Sequence, residues 1–140
     1  MQVFIVGSIF ETVVALDNRR RKKQWIEIEQ ILGALRGNKA WSNHPAVLQY
    51  RGHERWLIGY RTVIEFLNKN LTGRALVASI MADKIKPDWH TQEYYDQMKR
   101  RLYTKDKEHY KQWADLGKSD CNWYFVDGEW RKYVNGKRIE

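Results

Sequence analysis

Asp17-Asn18-Arg19-Arg20-Arg21-Lys22-Lys23-Gln24-Trp25-Ile26-Glu27-Ile28-Glu29-Gln30-Ile31-Leu32-Gly33-Ala34-Leu35-Arg36-Gly37 decides the fold class. Asp17-Asn18 is a helix cap and Gly37 a helix stop. Between them Trp25, Ile28, Ile31, Leu32 and Leu35 recur at helical spacing, which predicts an amphipathic helix over about 19–35. Arg20, Glu27 and Ala34 share a face at the border of the apolar stripe, and Gln24 lies closer still to its apolar side. Five consecutive cations at the N-terminal end oppose the helix dipole, at about 0.3–1 kcal/mol each where exposed. A local stability rule broken with no local gain marks a candidate functional feature.

On the N-terminal side of this helix, Val3 to Val6 is a short apolar run that reads as an extended segment or a packing arm. Ser8-Ile9-Phe10-Glu11 is a capping box, which predicts a short helix over about 9–16. On the C-terminal side, Ser42-Asn43-His44-Pro45 places a cap before a proline at the first helical position. A third helix is expected over about 45–68, burying Val47, Tyr50, Leu57, Tyr60, Ile64 and Leu67. Thr72-Gly73 opens a fourth to about 84, before Pro87. Thr91 caps a fifth over about 92–103, and Asp106 a sixth over about 107–116, closed by Gly117. From Trp123 the hydrophobic period changes. Runs over 123–126, 129–134 and 137–139, separated by Asp127-Gly128 and Asn135-Gly136, read as strand, turn, strand, turn, strand. The expected architecture is mainly α: a compact helical domain of about five to six helices with a small C-terminal antiparallel β-meander. It reads as one domain over 1–140, with a helical body over 1–117 and the meander over 122–140.

Composition bounds the chemistry. A hydrophobic fraction of 43% is enough for a core in a chain of 140 residues, and at 14% aromatics much of that core is built from rings. The formal charge of +8 fits a nucleic-acid binder and a merely basic soluble protein equally. The single cysteine, Cys121, excludes an internal disulfide, and His44, His53, His90 and His109 are never three or four residues apart. A helical metal site is therefore not expected, nor is any other metal site. The opening MQVFIVGSIF lacks a basic leader and a small-residue cleavage site, and no apolar run approaches the roughly 20 residues of a membrane span. A cytoplasmic setting is the default expectation, nucleoid-associated in a bacterium. No Ser-His-Asp, Walker or GxGxxG pattern is present.

Several side-chain groupings have the residue types that chemistry needs. Arg19, Arg20 and Lys23 lie off the apolar stripe, where they reach phosphates or simply form a solvated face. Glu27, at the rim of the stripe and close to cations, sits where a general acid/base is tuned; the plainer alternative is an ion pair with Lys23, worth about 0.3–0.5 kcal/mol. His44 caps a helix or contacts a phosphate or a base, and His53 reads as a semi-buried histidine. The tract from Met98 to Tyr110 interleaves cations and rings, which suits phosphate contact and base stacking. Trp123, Tyr124, Trp130, Arg131, Lys132, Tyr133, Lys137 and Arg138 of the meander have the same character, and also the alternation of a structural cap.

Taken together, Leu16-Asp17, Arg19-Arg20, Lys23-Gln24, Glu27, Gln30-Ile31-Leu32, Ala34-Leu35, Trp41, Asn43-His44-Pro45-Ala46-Val47 and Tyr50-Arg51-Gly52-His53 resemble the pyrimidine-dimer DNA glycosylase family, the endonuclease V-type repair enzymes. The likeness is best with uncharacterised relatives that open Met-Gln and carry Asn-His-Pro, and it runs from Met1 to about Tyr110. The resemblance implies a compact helical protein that uses no metal and no cofactor and acts on damaged double-stranded DNA. The nucleophile is then the N-terminal α-amine, on Met1, or on Gln2 if Met1 is removed. It attacks the sugar C1′, displaces the base and forms an imine that can undergo β-elimination. α-Amines as a class keep a neutral fraction near pH 7 that lysines lack. Glu27 is the assisting carboxylate and Arg20 the assisting residue one turn earlier. DNA contacts are expected from Arg19, Lys23, Gln24, Gln30, His44, Arg51, Lys99, Arg100, Arg101 and Lys105. The sequence departs from the family pattern in three places. Residue 2 is a large Gln rather than a small residue. The cations that flank the family glutamate are replaced by Ile26 and Gln30. The family's aromatic-basic C-terminal segment corresponds either to Tyr110-Lys111-Gln112-Trp113 or to the meander. The expected function is a DNA-repair glycosylase with an associated AP-lyase step. The alternatives are a noncatalytic nucleic-acid-binding or protein-interaction domain on the same scaffold, and a related enzyme acting on another base or on RNA.

Overall fold

Residues 3–6, which belong to no regular element, are among the most deeply buried of the chain. The computed structural model describes residues 1–38, 40–118, 121–134 and 136–139. These fall into two compact units, residues 1–88 and residues 89–140. Among the described residues, six α-helices, a 3-10 helix and a three-stranded antiparallel sheet bear out the expected mainly α class with a C-terminal meander. No helix among the described residues is long and apolar enough to cross a membrane.

In the first unit the arm runs into α1 (Ile9–Ala15), whose Glu11 N–H donates to the Ser8 hydroxyl at 3.0 Å as the capping box requires. The long basic helix is α2 (Asn18–Leu35). It ends where Gly37 adopts φ +112° and Asn38 N–H donates to Gly33 C=O at 3.0 Å. Its Ile28, Ile31 and Leu32 are buried against a core completed by Val47, Leu57, Tyr60, Val63 and Ile64.

The helix expected over 45–68 is two helices, α3 (Pro45–Gln49) and α4 (Glu54–Asn68). Gly52, at φ +87°, breaks the run, and His53 N–H closes the turn on Tyr50 C=O at 2.9 Å. The reason is packing. At 100° per residue, Tyr50 and Trp56 would point to different sides of one continuous helix. With the break they stack, 5.6 Å apart and 9° from parallel, both fully buried.

The unit ends with α5 (Thr72–Asp83), which packs closely on α4. A Cβ added at Gly59 would lie 2.4 Å from the Ala82 Cβ. Alanine in a helix interior gains about 1 kcal/mol over glycine, but overpacking costs about 1–3 kcal/mol. Gly59→Ala is therefore expected to lower the urea midpoint; a raised midpoint would show that the helices separate freely.

The second unit opens with α6 (Gln92–Lys105), capped by Thr91. The next helix was expected to be α-helical over 107–116. Residues 107–110 instead form a turn held by the Asp106 carboxylate, which accepts from His109 N–H at 3.0 Å, and a 3-10 helix follows over Lys111–Lys118. Tyr110 stacks on Trp113 at 5.4 Å and 6°. A spacing of three residues eclipses side chains in a 3-10 turn and staggers them in an α turn.

The sheet comprises β1 (Cys121–Val126), β2 (Glu129–Val134) and β3 (Lys137–Ile139), in that order. Asp127 and Gly128 both have positive φ, 52° and 80°, as the two-residue hairpin turn demands. The turn expected at Asn135-Gly136 has Asn135 outside the described residues. At the free edge of β1 the buried Gln97 acts as a surrogate strand. Its Oε1 accepts Trp123 N–H at 2.7 Å, and its Nε2 donates to Trp123 C=O at 2.9 Å.

Candidate active site

One side chain ties the N-terminal arm to α2. Gln24 is 1% exposed, and its Oε1 accepts the Phe4 N–H at 2.8 Å. Its Nε2 donates one hydrogen to the Gln2 carbonyl and the other to Glu27 Oε2, both at 2.8 Å. The two N–H bonds of the amide are thus divided between the chain's second residue and a carboxylate one helical turn on. From the other side, Tyr60 donates its hydroxyl proton to the Phe4 carbonyl at 2.7 Å. The arm needs these partners because an extended segment satisfies none of its own backbone groups.

Glu27 is 8% exposed, at the border position its sequence spacing predicted. The ion pair with Lys23 is not formed among the described residues; the carboxylate is held by Gln24 instead.

His44 is the third member. It is the N-cap of α3, where its Nδ1 accepts the Ala46 N–H at 3.1 Å, and Trp41 meets it edge-on at 5.9 Å. Burial is the main cause that holds the imidazole below its usual protonation range. The positive N-terminal amine acts in the same direction, and the Glu27 charge opposes both. Both charges act on one imidazole, and the Gln24 amide joins the second residue to Glu27. With Nδ1 as acceptor, the neutral ring carries its proton on Nε2 and can donate it.

Two expectations follow for these residues. Because the folded state lowers the affinity of His44 for a proton, the unfolded chain protonates first as pH falls. The His44 contribution to stability is complete above its ordinary value of 6.5 and is lost as pH falls below it. His44→Asn keeps a good N-cap and should flatten this part of the urea-midpoint profile; an unchanged slope would remove His44 from it. In Gln24→Ala, the orphaned Phe4 N–H alone costs about 1–3 kcal/mol. Unfolding in urea should show at least that loss, and an unaltered midpoint would mean that the arm is not held by this amide.

The other candidates are dispersed. Arg19 and Lys23 are exposed on α2, Arg20 is half-buried, and Arg51 is exposed in the turn before α4. Arg21, from the same basic run, turns inward and donates Nε–H to the Val13 carbonyl at 2.7 Å. Gln30 lines an open hollow of about 420 Å³ beside Trp25, Ile26 and the exposed Trp41. Lys99, Arg100, Arg101 and Lys105 lie on α6, in the second unit. Gln24, expected among the DNA contacts, faces the interior with its amide engaged. Tyr60 as the second clamp on the arm was not foreseen, although its place on a buried face was. Among the described residues, no group of three or more His, Cys, Asp or Glu side chains is placed to hold a metal ion.

Residues 1–65 match the family model of pyrimidine dimer DNA glycosylases. The resemblance read from the sequence is borne out over this segment. The glycosylase match takes in the arm, Gln24, Glu27, His44, Arg51 and Tyr60 and ends within α4; the basic residues of α6 lie beyond it. No curated protein and no solved structure matches the chain.

Proposed function

We propose that the chain is a DNA glycosylase that removes damaged pyrimidines from double-stranded DNA, with its N-terminal amine as nucleophile and Glu27 as acid/base. The observation that carries this reading is the Gln24 bridge, because a single buried amide sets both the arm and the carboxylate. Preorganisation of this kind is what a reaction between two reactants and a proton acceptor requires.

In the proposed reaction the neutral amine donates its lone pair to the sugar C1′. The bond from C1′ to the base breaks, and its electrons leave with the base, which takes up a proton. Positive charge that develops on the sugar faces the Glu27 carboxylate. One carboxylate oxygen is fixed by Gln24, which leaves the other to accept the proton lost from the attacking nitrogen. Opening of the sugar ring, in which Glu27 hands that proton to the departing ring oxygen, then gives a protonated imine and restores the carboxylate. Removal of a C2′ proton by the same carboxylate expels the 3′ phosphate in the lyase step. His44 Nε2–H donates to a sugar or phosphate oxygen. Arg19, Arg20, Lys23 and Arg51 grip the backbone, with Lys99, Arg100, Arg101 and Lys105 as further phosphate contacts, so affinity falls steeply with salt. The damaged base is reached by extrusion from the duplex.

A duplex oligonucleotide with a single cyclobutane pyrimidine dimer tests the reading. Cleavage of the glycosidic bond of one dimer base, which stays tethered to its neighbour through the cyclobutane ring, followed by strand breakage at that position, is expected. Tight, salt-sensitive binding with no glycosidic cleavage of this or any other damaged-pyrimidine duplex would leave a noncatalytic DNA-binding domain instead.

A further inference from the structure

The sheet of the second unit has two faces of different chemistry. Cross-strand register and the alternation of side chains put Trp123, Phe125, Trp130 and Lys132 on one face, and Tyr124, Arg131, Tyr133 and Arg138 on the other. The first face is used within the unit. The Trp130 ring lies 4.6 Å from Trp89 and 5.6 Å from Tyr94, Trp123 Nε1–H donates to Glu93 at 2.7 Å, and Lys132 pairs with Glu93 at 3.6 Å.

The second face is a surface of rings and guanidinium groups. Tyr124 and Tyr133 meet edge to face at 5.4 Å, and the Arg101 guanidinium of α6 lies 5.5 Å from the centre of the Tyr124 ring. Tyr124 is 42% exposed, and Arg138 is exposed. Arg131 is held beside them by Glu129 at 3.5 Å, and its Nε is buried with no hydrogen-bond partner among the described residues. Arg101, Arg131 and Arg138 against Glu129 give the face a positive excess, which selects a polyanion. A polyanion of phosphates alone gives the rings nothing to stack on, and a closed duplex hides the faces of its bases within the stack. An unpaired strand presents both parts, bases to the tyrosines and phosphates to the arginines.

We propose that this face is a stacking platform for unpaired, single-stranded DNA. Of its residues only Arg101 is also a phosphate contact in the glycosylase reading, and the platform rests on the two tyrosines, which that reading does not use.

The test is the binding of a fluorescently labelled short oligothymidylate to the full-length protein, followed by anisotropy. The wild type should bind in a salt-sensitive manner. Tyr124→Ala combined with Tyr133→Ala should weaken binding at least about tenfold, the loss expected for one stacked base. The corresponding double Phe variant should retain it. An alanine variant that binds undiminished overturns the proposal, and so does a Phe variant as weak as the alanine one. Should the alanine variant fail to fold by circular dichroism, the wild type is photo-cross-linked to a 5-iodouracil oligonucleotide and the adduct mapped. Adducts on Tyr124 or Tyr133 support the platform, and adducts confined to other residues exclude it.

Discussion

Glu27→Gln should leave binding to damaged duplex DNA intact and lower glycosidic cleavage by about 10²–10⁴-fold, the usual contribution of a positioned acid/base. The substitution is nearly isosteric, and the new carboxamide oxygen can still accept the hydrogen that Gln24 Nε2 now gives to Glu27 Oε2 at 2.8 Å. Arm, helix and cap therefore stay in place. In the proposed reaction, what is lost is a negative charge opposite the sugar and an acceptor for the proton of the attacking nitrogen. If the cluster faces DNA as proposed, removing its carboxylate also relieves repulsion of phosphate, so affinity should hold or rise. Single-turnover kinetics with the dimer-containing duplex, alongside an equilibrium titration, separate the two effects. Unchanged turnover would reject the role assigned to Glu27, and a parallel loss of binding would make it a structural residue.

Acetylation of the N-terminal amine should abolish glycosidic cleavage altogether, because it removes the lone pair that the reaction needs. The same modification has a second consequence that does not depend on catalysis. The charged amine is one of the causes that keep His44 from taking up a proton. Once that charge is gone, the His44 protonation midpoint should rise towards its ordinary value; burial continues to act against it. Titration of the His44 ring protons by NMR, before and after acetylation, reads this directly. If the midpoint does not move, the amine is not beside the imidazole. If it moves while glycosidic cleavage persists, the amine is adjacent but is not the nucleophile.

Much of this arrangement was legible in the sequence because it depends on local rules. The stripe of α2 gave the helix and put Glu27 at its border, where it is found 8% exposed. Ser8 and Asp127-Gly128 acted as cap and turn because their chemistry permits little else. The misses are cases where a tertiary contact outweighed a local pattern. The apolar spacing over 45–68 is helical throughout, yet the stacking of Tyr50 on Trp56 favours a break, and Gly52 supplies the conformation for it. Asp106 signalled a helix start, but the Tyr110–Trp113 stack selects 3-10 spacing after it. Gln24 stood close to the apolar side of the helix, yet the family resemblance put it among the DNA contacts, and it is buried. That its amide would face the backbone of the arm depends on a contact 20 residues away in the chain, beyond the reach of any periodicity.

The most direct measurement is borohydride trapping on abasic-site duplex DNA, followed by peptide mapping of the adduct by mass spectrometry. A single covalent adduct on the α-nitrogen of the mature N-terminal residue, absent after acetylation, is the expected result. An adduct on a lysine side chain, or no adduct from protein that binds the duplex, would contradict the pairing of the N-terminal amine with Glu27.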